Sequence, residues 1–258
     1  MTSGDDRHKA NGASNGAANG AISASTHPQT IDEADDDHDE ATIAPSLPEP
    51  ETATGRRLLD APPPPQIAEL AEACLRFVER VVGVKLDYTL ETLPLLDHYL
   101  EHARLTIAQK KEGAESLEIV AQAAGAYFGE VVRRRYASWW RLEPDAADHR
   151  IELHQVFLTL YPVAMMLEAL TLDPSKPAQA LGTAGFDLDE EDRAAAAARL
   201  NELPEAPIEE FVAPSTRLEV LDIVLDAVRA DHLRQGASSL ELEPGDYDDA
   251  REGPGADD

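Results

Sequence analysis

The sequence has few of the residue types on which redox chemistry or membrane insertion depends. It contains one cysteine, Cys74, so no disulfide can form within the chain. Cys74 falls on an apolar helix stripe, which predicts a small buried side chain rather than a reactive thiol. No apolar run approaches the roughly 20 residues that cross a bilayer, and the N-terminal segment lacks the apolar stretch of a secretory signal. These features predict a cytoplasmic protein that does not bind membranes.

Positive charge is also scarce. The 258 residues include 22 lysines and arginines against 50 aspartates and glutamates, and the formal net charge is −28. Acidic residues are in excess near both ends and in the region between them. The resulting field opposes general binding to nucleic acids and to anionic membrane surfaces. A basic protein partner fits this charge, and so does a simple contribution to solubility.

Short catalytic motifs are missing from the sequence. It has no GxSxG, no P-loop and no GxGxxG motif, and one cysteine cannot form a CxxC pair. The acidic runs lack the glycine and the ligand spacing of a calcium-binding loop. The sequence therefore predicts no cofactor and names no reaction.

Composition divides the chain into three parts. Residues 1–60 are rich in small and polar residues and hold few large apolar side chains, so they are predicted to form a disordered arm. Residues 236–258 are similar and are predicted to form a disordered acidic tail. Residues 61–235 have the size and apolar content of a single globular domain.

Apolar residues recur with helical spacing along this central part. The first such helix ends at Gly83, where a left-handed cap is expected, and the last is predicted to open with a capping box of Thr216 and Glu219. The predicted helices lie at about residues 67–82, 93–107, 116–137, 163–170, 189–203 and 216–228.

The period changes after the third helix. Trp140 and Leu142 alternate with polar neighbours, as do Ile151 and Leu153, and Pro144 and Asp145 lie between them. This pattern predicts a strand, a turn and a strand. The fold class is therefore expected to be α+β and mainly helical, with five to six helices packed on a small antiparallel β-hairpin or sheet.

The stretch GAYFGEVVRRRYASWW, residues 125–140, joins the central helix to the first strand. Gly125 and Gly129 lie one helical turn apart in a segment that is apolar nearly all round, which is typical of a buried helix. Each glycine costs about 0.5–1 kcal/mol relative to alanine in a helix. Close packing against this flat strip is the expected compensation.

Glu130 in the same helix has Arg133 and Arg134 at i+3 and i+4, where a carboxylate and a guanidinium can meet. One interpretation is an ion pair that fixes the end of the helix against the sheet, and the other is a catalytic acid in a cleft. The structural interpretation is favoured, because a buried charge needs such a partner.

The same arginines followed by Trp139 and Trp140 superficially match a nucleic-acid patch with stacking aromatics. The acidity of the domain argues against this function. Arginines at the end of a helix also complement the helix dipole. No nucleic-acid binding is predicted.

His98 and His102 are spaced i, i+4 on the second helix, a spacing that can place two imidazoles on one metal ion. HExxH is absent, and His149 and His154 are only distant candidates for a third ligand. A solvated polar face opposite the leucine stripe explains the pair as well. The prediction is therefore no metal, with His98 and His102 kept as candidates.

Four short pieces of the chain occur in an order that resembles a group of uncharacterised bacterial domains. They are Leu86-Asp87-Tyr88, the Gly-Ala-Tyr-x-Gly-Glu motif that ends at Glu130, the arginines 133–135, and the Trp139-Trp140 pair. The resemblance covers about residues 65–170. It implies a bacterial α+β domain and no particular activity.

Two functions are consistent with these features. The first is a non-enzymatic module that acts through protein contacts, such as an adaptor, a regulator or an immunity-type inhibitor of a basic partner. The alternative is an enzyme with a site around Glu130, Arg134 and one of the histidines His98, His102 and His154. A cleft that joins Glu130 to a histidine would favour the enzyme, and closed packing around Glu130 would favour the interaction module.

Overall fold

The computed structural model describes residues 52–110, 113–172, 185–204, 207–236 and 240–252. Over these residues the chain is mainly helical with a small antiparallel sheet, which confirms the predicted α+β class. The helices are α1 Ala53–Asp60, α2 Pro65–Val82, α3 Leu93–Lys110, α4 Ala114–Arg135, α5 Pro162–Leu170, α6 Glu190–Leu200, α7 Ile208–Phe211, α8 Pro214–Gln235 and α9 Pro244–Glu252. The strands are β1 Ser138–Arg141, β2 Arg150–Leu153, β3 Leu158–Leu160 and β4 Phe186–Leu188.

Helix α4 is the centre of the fold. Every residue from Ala123 to Arg133 is buried, as expected for a helix that is apolar nearly all round. It packs against α2 on one side and α5 on the other. The other long helix, α8, packs against α3 and α6 and completes the apolar core.

The four strands follow one another in the order β1-β2-β3-β4, and each neighbouring pair is antiparallel. Trp140 is paired with Ile151, and both are buried toward α4. Their chain neighbours Trp139 and Glu152 are also paired, and they lie on the opposite face because side chains alternate along a strand. The sheet therefore has an inner apolar face and an outer face of mixed character.

Local sequence signals account for several of the helix ends. Pro65 occupies the first turn of α2, and Gly83 ends that helix with φ 80°, the left-handed conformation that glycine adopts without strain. The predicted capping box is wrong. Helix α8 begins at Pro214, so Thr216 already lies within the first turn. The residue at the cap position is Ala213, whose methyl side chain cannot accept a hydrogen bond.

Two helices lie in segments that were predicted to be disordered. Thr52 caps α1 through its side chain, which accepts a hydrogen bond from the Gly55 N–H. Tyr247 in α9 is 1% exposed. The prediction of disorder is therefore wrong for residues 53–60 and 244–252, because each helix has anchors that composition does not reveal. Of the other residues of the predicted arm and tail, residues 1–51, 237–239 and 253–258 lie outside the described residues.

Within the described ranges, no helix combines the length and the apolar character that crossing a membrane requires.

Candidate functional site

Glu130 lies at the meeting point of α4 and the sheet and is 1% exposed. Its carboxylate accepts two hydrogen bonds from Arg133, from Nε to Oε1 at 2.9 Å and from Nη2 to Oε2 at 2.9 Å. The indole Nε1 of Trp140 donates a third to Oε1, also at 2.9 Å. The bidentate geometry and the indole satisfy the charge where water does not reach it.

The third nitrogen of the Arg133 guanidinium, Nη1, contacts a third element. Its Nη1 donates to the main-chain carbonyl of Leu58 at 3.1 Å and to that of Leu59 at 3.3 Å. These carbonyls belong to the C-terminal end of α1, where helix carbonyls have no partner within the helix. The cluster of Glu130, Arg133 and Trp140 therefore joins α1, α4 and β1.

This closed cluster favours the structural interpretation of Glu130. The predicted i+3 partner, Arg133, is present, and neither of the two clefts described below includes Glu130 in its lining. None of the candidate histidines is among the hydrogen-bond partners of Glu130.

The two glycines of α4 allow two different close contacts. A Cβ atom built on Gly125 would lie 2.6 Å from the Cα atom of Val163, so the backbone of α5 packs directly against this position. A Cβ atom on Gly129 would lie 2.3 Å from Cζ2 of Trp140. Gly125 therefore meets a helix backbone as predicted, whereas Gly129 makes room for the indole that bonds to Glu130.

Arg134 is exposed, and it is not among the hydrogen-bond partners of Glu130. Its guanidinium carbon lies 3.6 Å from the centroid of the Tyr88 ring, and Tyr88 stacks on Tyr127 with centroids 4.7 Å apart. Tyr88 has φ 66°, which is uncommon for a residue with a side chain, and its N–H donates to the Tyr127 hydroxyl at 2.9 Å. Arg134 is thus a cation–π partner and is not joined to Glu130.

A cleft of about 350 Å³ opens beside this stack. Tyr88 lines this cleft, which the sequence around it did not predict. The lining residues are Tyr88, Thr89, Leu90, Glu91, Val131, Arg134 and Arg135.

The arginine and tryptophan side chains are engaged within the domain. Arg135 pairs with Asp222 at 2.8 Å, and Trp139 donates its indole N–H to Glu152 at 2.8 Å. Trp140 is held by Glu130. The pattern that resembles a nucleic-acid patch is therefore used mainly for internal contacts.

The histidines do not converge on one another. His98 and His102 are exposed on α3, and among the described residues no group of three or more His, Cys, Asp or Glu side chains is arranged to hold a metal ion. His154 is 1% exposed, and its Nδ1 lies 2.8 Å from the carbonyl oxygen of Leu242. Cys74 is buried, and burial raises the pKa of its thiol to about 12, so it is protonated and unreactive.

Glu152 is a second buried carboxylate, and the sequence did not predict it. It is 0% exposed and accepts hydrogen bonds from Nε1 of Trp139, from Nε of Arg150 at 3.0 Å and from Nη1 of Arg251 at 2.7 Å. Strand alternation placed Glu152 on the polar face, where a solvated side chain is the ordinary expectation. It is buried because α9 covers that face, and the segment of α9 was predicted to be disordered.

The larger cleft, about 450 Å³, lies between α3, α7 and the beginning of α8. Asp97 is half-buried in its wall, where it accepts a hydrogen bond from the Ser215 N–H at 3.1 Å and another from the Ser215 hydroxyl. Burial raises the pKa of Asp97, and the bonds from Ser215 oppose that rise. The other charged or titratable residues of the lining are His98, Glu101, Arg104, Glu209 and Glu210, and the apolar ones include Leu100, Ala169, Leu172 and Val212.

Comparisons of the chain with protein-family models, with curated proteins and with solved structures find no match. The resemblance to bacterial α+β domains therefore stays a prediction from the motifs quoted above.

Proposed function

We propose that the protein is a cytoplasmic, non-enzymatic interaction module that binds a basic segment of another protein. An adaptor, a regulator or an immunity-type inhibitor would act in this way. The observation that carries the proposal is the acidic cleft between α3, α7 and α8, which is the larger of the two clefts described above.

The lining of this cleft suits a lysine or arginine side chain. Glu101, Glu209 and Glu210 are exposed carboxylates around it, and among the described residues of the lining Arg104 is the one arginine. Apolar groups such as Leu100 and Val212 lie between them. Basic side chains have long apolar stems as well as a charged end, so a wall of both kinds matches both parts.

The charge of the whole chain supports the same conclusion. With a formal net charge of −28, the field attracts a basic partner from a distance and raises the rate at which the two meet. The catalytic alternative lacks comparable support, because Glu130 is closed off by Arg133 and Trp140.

The test compares two charge reversals of equal size. The double variant Glu209→Lys/Glu210→Lys changes the cleft, and Glu190→Lys/Glu191→Lys changes an equally exposed pair in the first turn of α6. The probe is a labelled helical peptide of lysine, arginine and leucine. We expect the cleft variant to weaken binding by about 10-fold or more and the α6 variant by less than about 3-fold, because the α6 pair is not in the cleft lining and acts mainly through the shared field. Equal losses in both variants would mean that net charge alone attracts the probe and would overturn the proposal.

A further inference from the structure

We propose that the outer face of the sheet beneath α9 is a second protein-binding surface, which the chain's own C-terminal segment occupies in cis. The partner that fits it is a helical segment that carries Tyr-Asp-x-x-Arg. This inference is independent of the acidic cleft, because the two surfaces share no residue.

The first anchor is Tyr247. Its ring stacks on Phe157 with centroids 4.3 Å apart and meets Trp139 edge-on at 5.8 Å. Its hydroxyl lies 2.8 Å from the carbonyl oxygen of Leu153 and accepts a hydrogen bond from the Leu158 N–H at 3.0 Å. The connection between β2 and β3 thus forms a pocket that is matched to a phenol, apolar at its walls and polar at its end.

The second and third anchors are charged. Arg251 donates from Nη1 to the buried Glu152 at 2.7 Å, and its Nη2 lies 3.4 Å from the hydroxyl oxygen of Thr159. Asp248 pairs with Arg141 of β1. Tyr247 and Arg251 are four residues apart, so they project from the same face of α9.

Helix α9 has the properties of a docked peptide rather than of a core helix. It has 9 residues, including Gly245 and three aspartates, and isolated helices shorter than about 12–15 residues are marginal in water. Its helical form therefore depends on the contacts with the sheet. Tyr247 is its one buried residue among those whose burial is described, and Tyr247 is not part of the contiguous apolar core. Recognition through a single buried aromatic anchor and a few charged contacts is typical of peptide binding.

The groups on the sheet that bond to α9 would lose these partners if α9 left the surface. The main-chain groups of Leu153 and Leu158 would lose their hydroxyl partner, and Glu152 would lose one of its guanidinium partners. An occupant that covered this face without replacing those partners would bury unpaired polar groups at a cost, so the face favours one that restores a phenol and a guanidinium at this spacing. A partner has to compete with the cis segment, whose tether gives it an effective concentration in the millimolar range.

The experiment uses the full chain and a labelled synthetic peptide that copies residues 240–252. Tyr247→Ala in the chain removes the anchor of the cis segment and leaves the sheet face unchanged. We expect this variant to bind the peptide at least about 10-fold more tightly than the wild type does, because the tethered competitor is weakened. A peptide in which the tyrosine is replaced by alanine should not bind. The Asp249→Ala chain is the matched control, because Asp249 is exposed on α9 and should leave binding at the wild-type level.

A folded Tyr247→Ala chain that does not bind the peptide would overturn the proposal. If that variant does not fold cooperatively, the same titration on Arg251→Ala tests the proposal. This change removes the bond from Arg251 to Glu152 and keeps the tyrosine. Arg251→Ala that binds the peptide no better than the wild type would show that α9 is an inseparable part of the fold. The double change Glu209→Lys/Glu210→Lys should alter peptide binding by less than about 3-fold, through the shared field alone, so the two proposals can fail separately.

Discussion

At the scale of single residues, Glu130 offers the sharpest distinction between a structural and a catalytic role. Replacing it by alanine leaves the buried guanidinium of Arg133 without its counter-charge, and we expect a loss of about 3–5 kcal/mol in the free energy of unfolding. Glu130→Gln keeps the shape and some hydrogen bonding, so it should lose less. Urea denaturation of both variants measures the order of the two losses.

Glu118→Ala is the control for that series, because Glu118 is exposed on the same helix and its removal should change stability by less than about 0.5 kcal/mol. A Glu130→Gln protein that is as stable as the wild type, yet fails to restore function in a deletion strain, would contradict the structural role.

Asp97 predicts a dependence of stability on pH. Burial raises its pKa above 3.8, the ordinary value, so the folded state binds the proton more tightly than the unfolded state does. The stability that this group contributes is therefore present at low pH and is lost as pH rises through the raised pKa. Asp97→Asn removes the effect. The melting temperature of the wild type minus that of the variant should fall over the range in which pH rises above 3.8. A difference that rises over that range would contradict the prediction.

At the scale of elements, the two glycines of α4 should differ in what their substitution disturbs. Gly125→Ala forces α4 away from the backbone of Val163, and a backbone cannot rotate out of the way. Gly129→Ala forces the Trp140 indole to shift, which strains its bond to Glu130. Both substitutions should lower the free energy of unfolding by about 1–3 kcal/mol, and the loss should be larger for Gly125→Ala. Gly129→Ala should in addition change the tryptophan fluorescence, because Trp140 has to shift.

Gly113→Ala is the matched control for both glycine variants. No atom of the described part of the chain lies within 4 Å of a Cβ atom at that position, and thermal melting should change little. A Gly125→Ala protein as stable as this control would mean that α4 and α5 are not tightly packed.

Helices α2, α3, α4 and α8 have an apolar pattern that repeats over many residues, so periodicity was sufficient to predict them. The alanine-rich α6 was predicted from its composition and the acids at its N-terminus, and the 4-residue strands β1 and β2 from alternation and the turn between them. Strand β4 has 3 residues and α7 has 4, which is too short for a period to be recognised. The i+3 partner of Glu130 is local and could be predicted, whereas Arg251 reaches Glu152 across 99 residues of sequence. Only the tertiary fold creates contacts of that kind.

At the scale of the whole molecule, several arginines of the described residues form ion pairs inside the domain. These pairs fix helices and strands to one another and leave exposed carboxylates in excess on the surface. Among the described residues, the buried carboxylates of Glu130 and Glu152 each have an arginine partner, which offsets the cost of burying their charge. Examples in which the arginine is buried or half-buried are Arg133–Glu130, Arg135–Asp222, Arg150–Glu152 and Arg217–Glu168.

The bonds from Arg133 to the end of α1 also set an order of events during synthesis. Arg133 follows Leu58 by 75 residues, so α1 leaves the ribosome well before the guanidinium that caps it has been made. Until then its last carbonyls lack that donor, and its 8 residues are too few to hold a helix alone. We expect protease to cut α1 in nascent chains that stop short of Arg133, and to spare it once α4 and β1 have emerged. Protection in the shorter chains would contradict this order. Helix α1 thus becomes ordered only after a residue made 75 positions later has emerged.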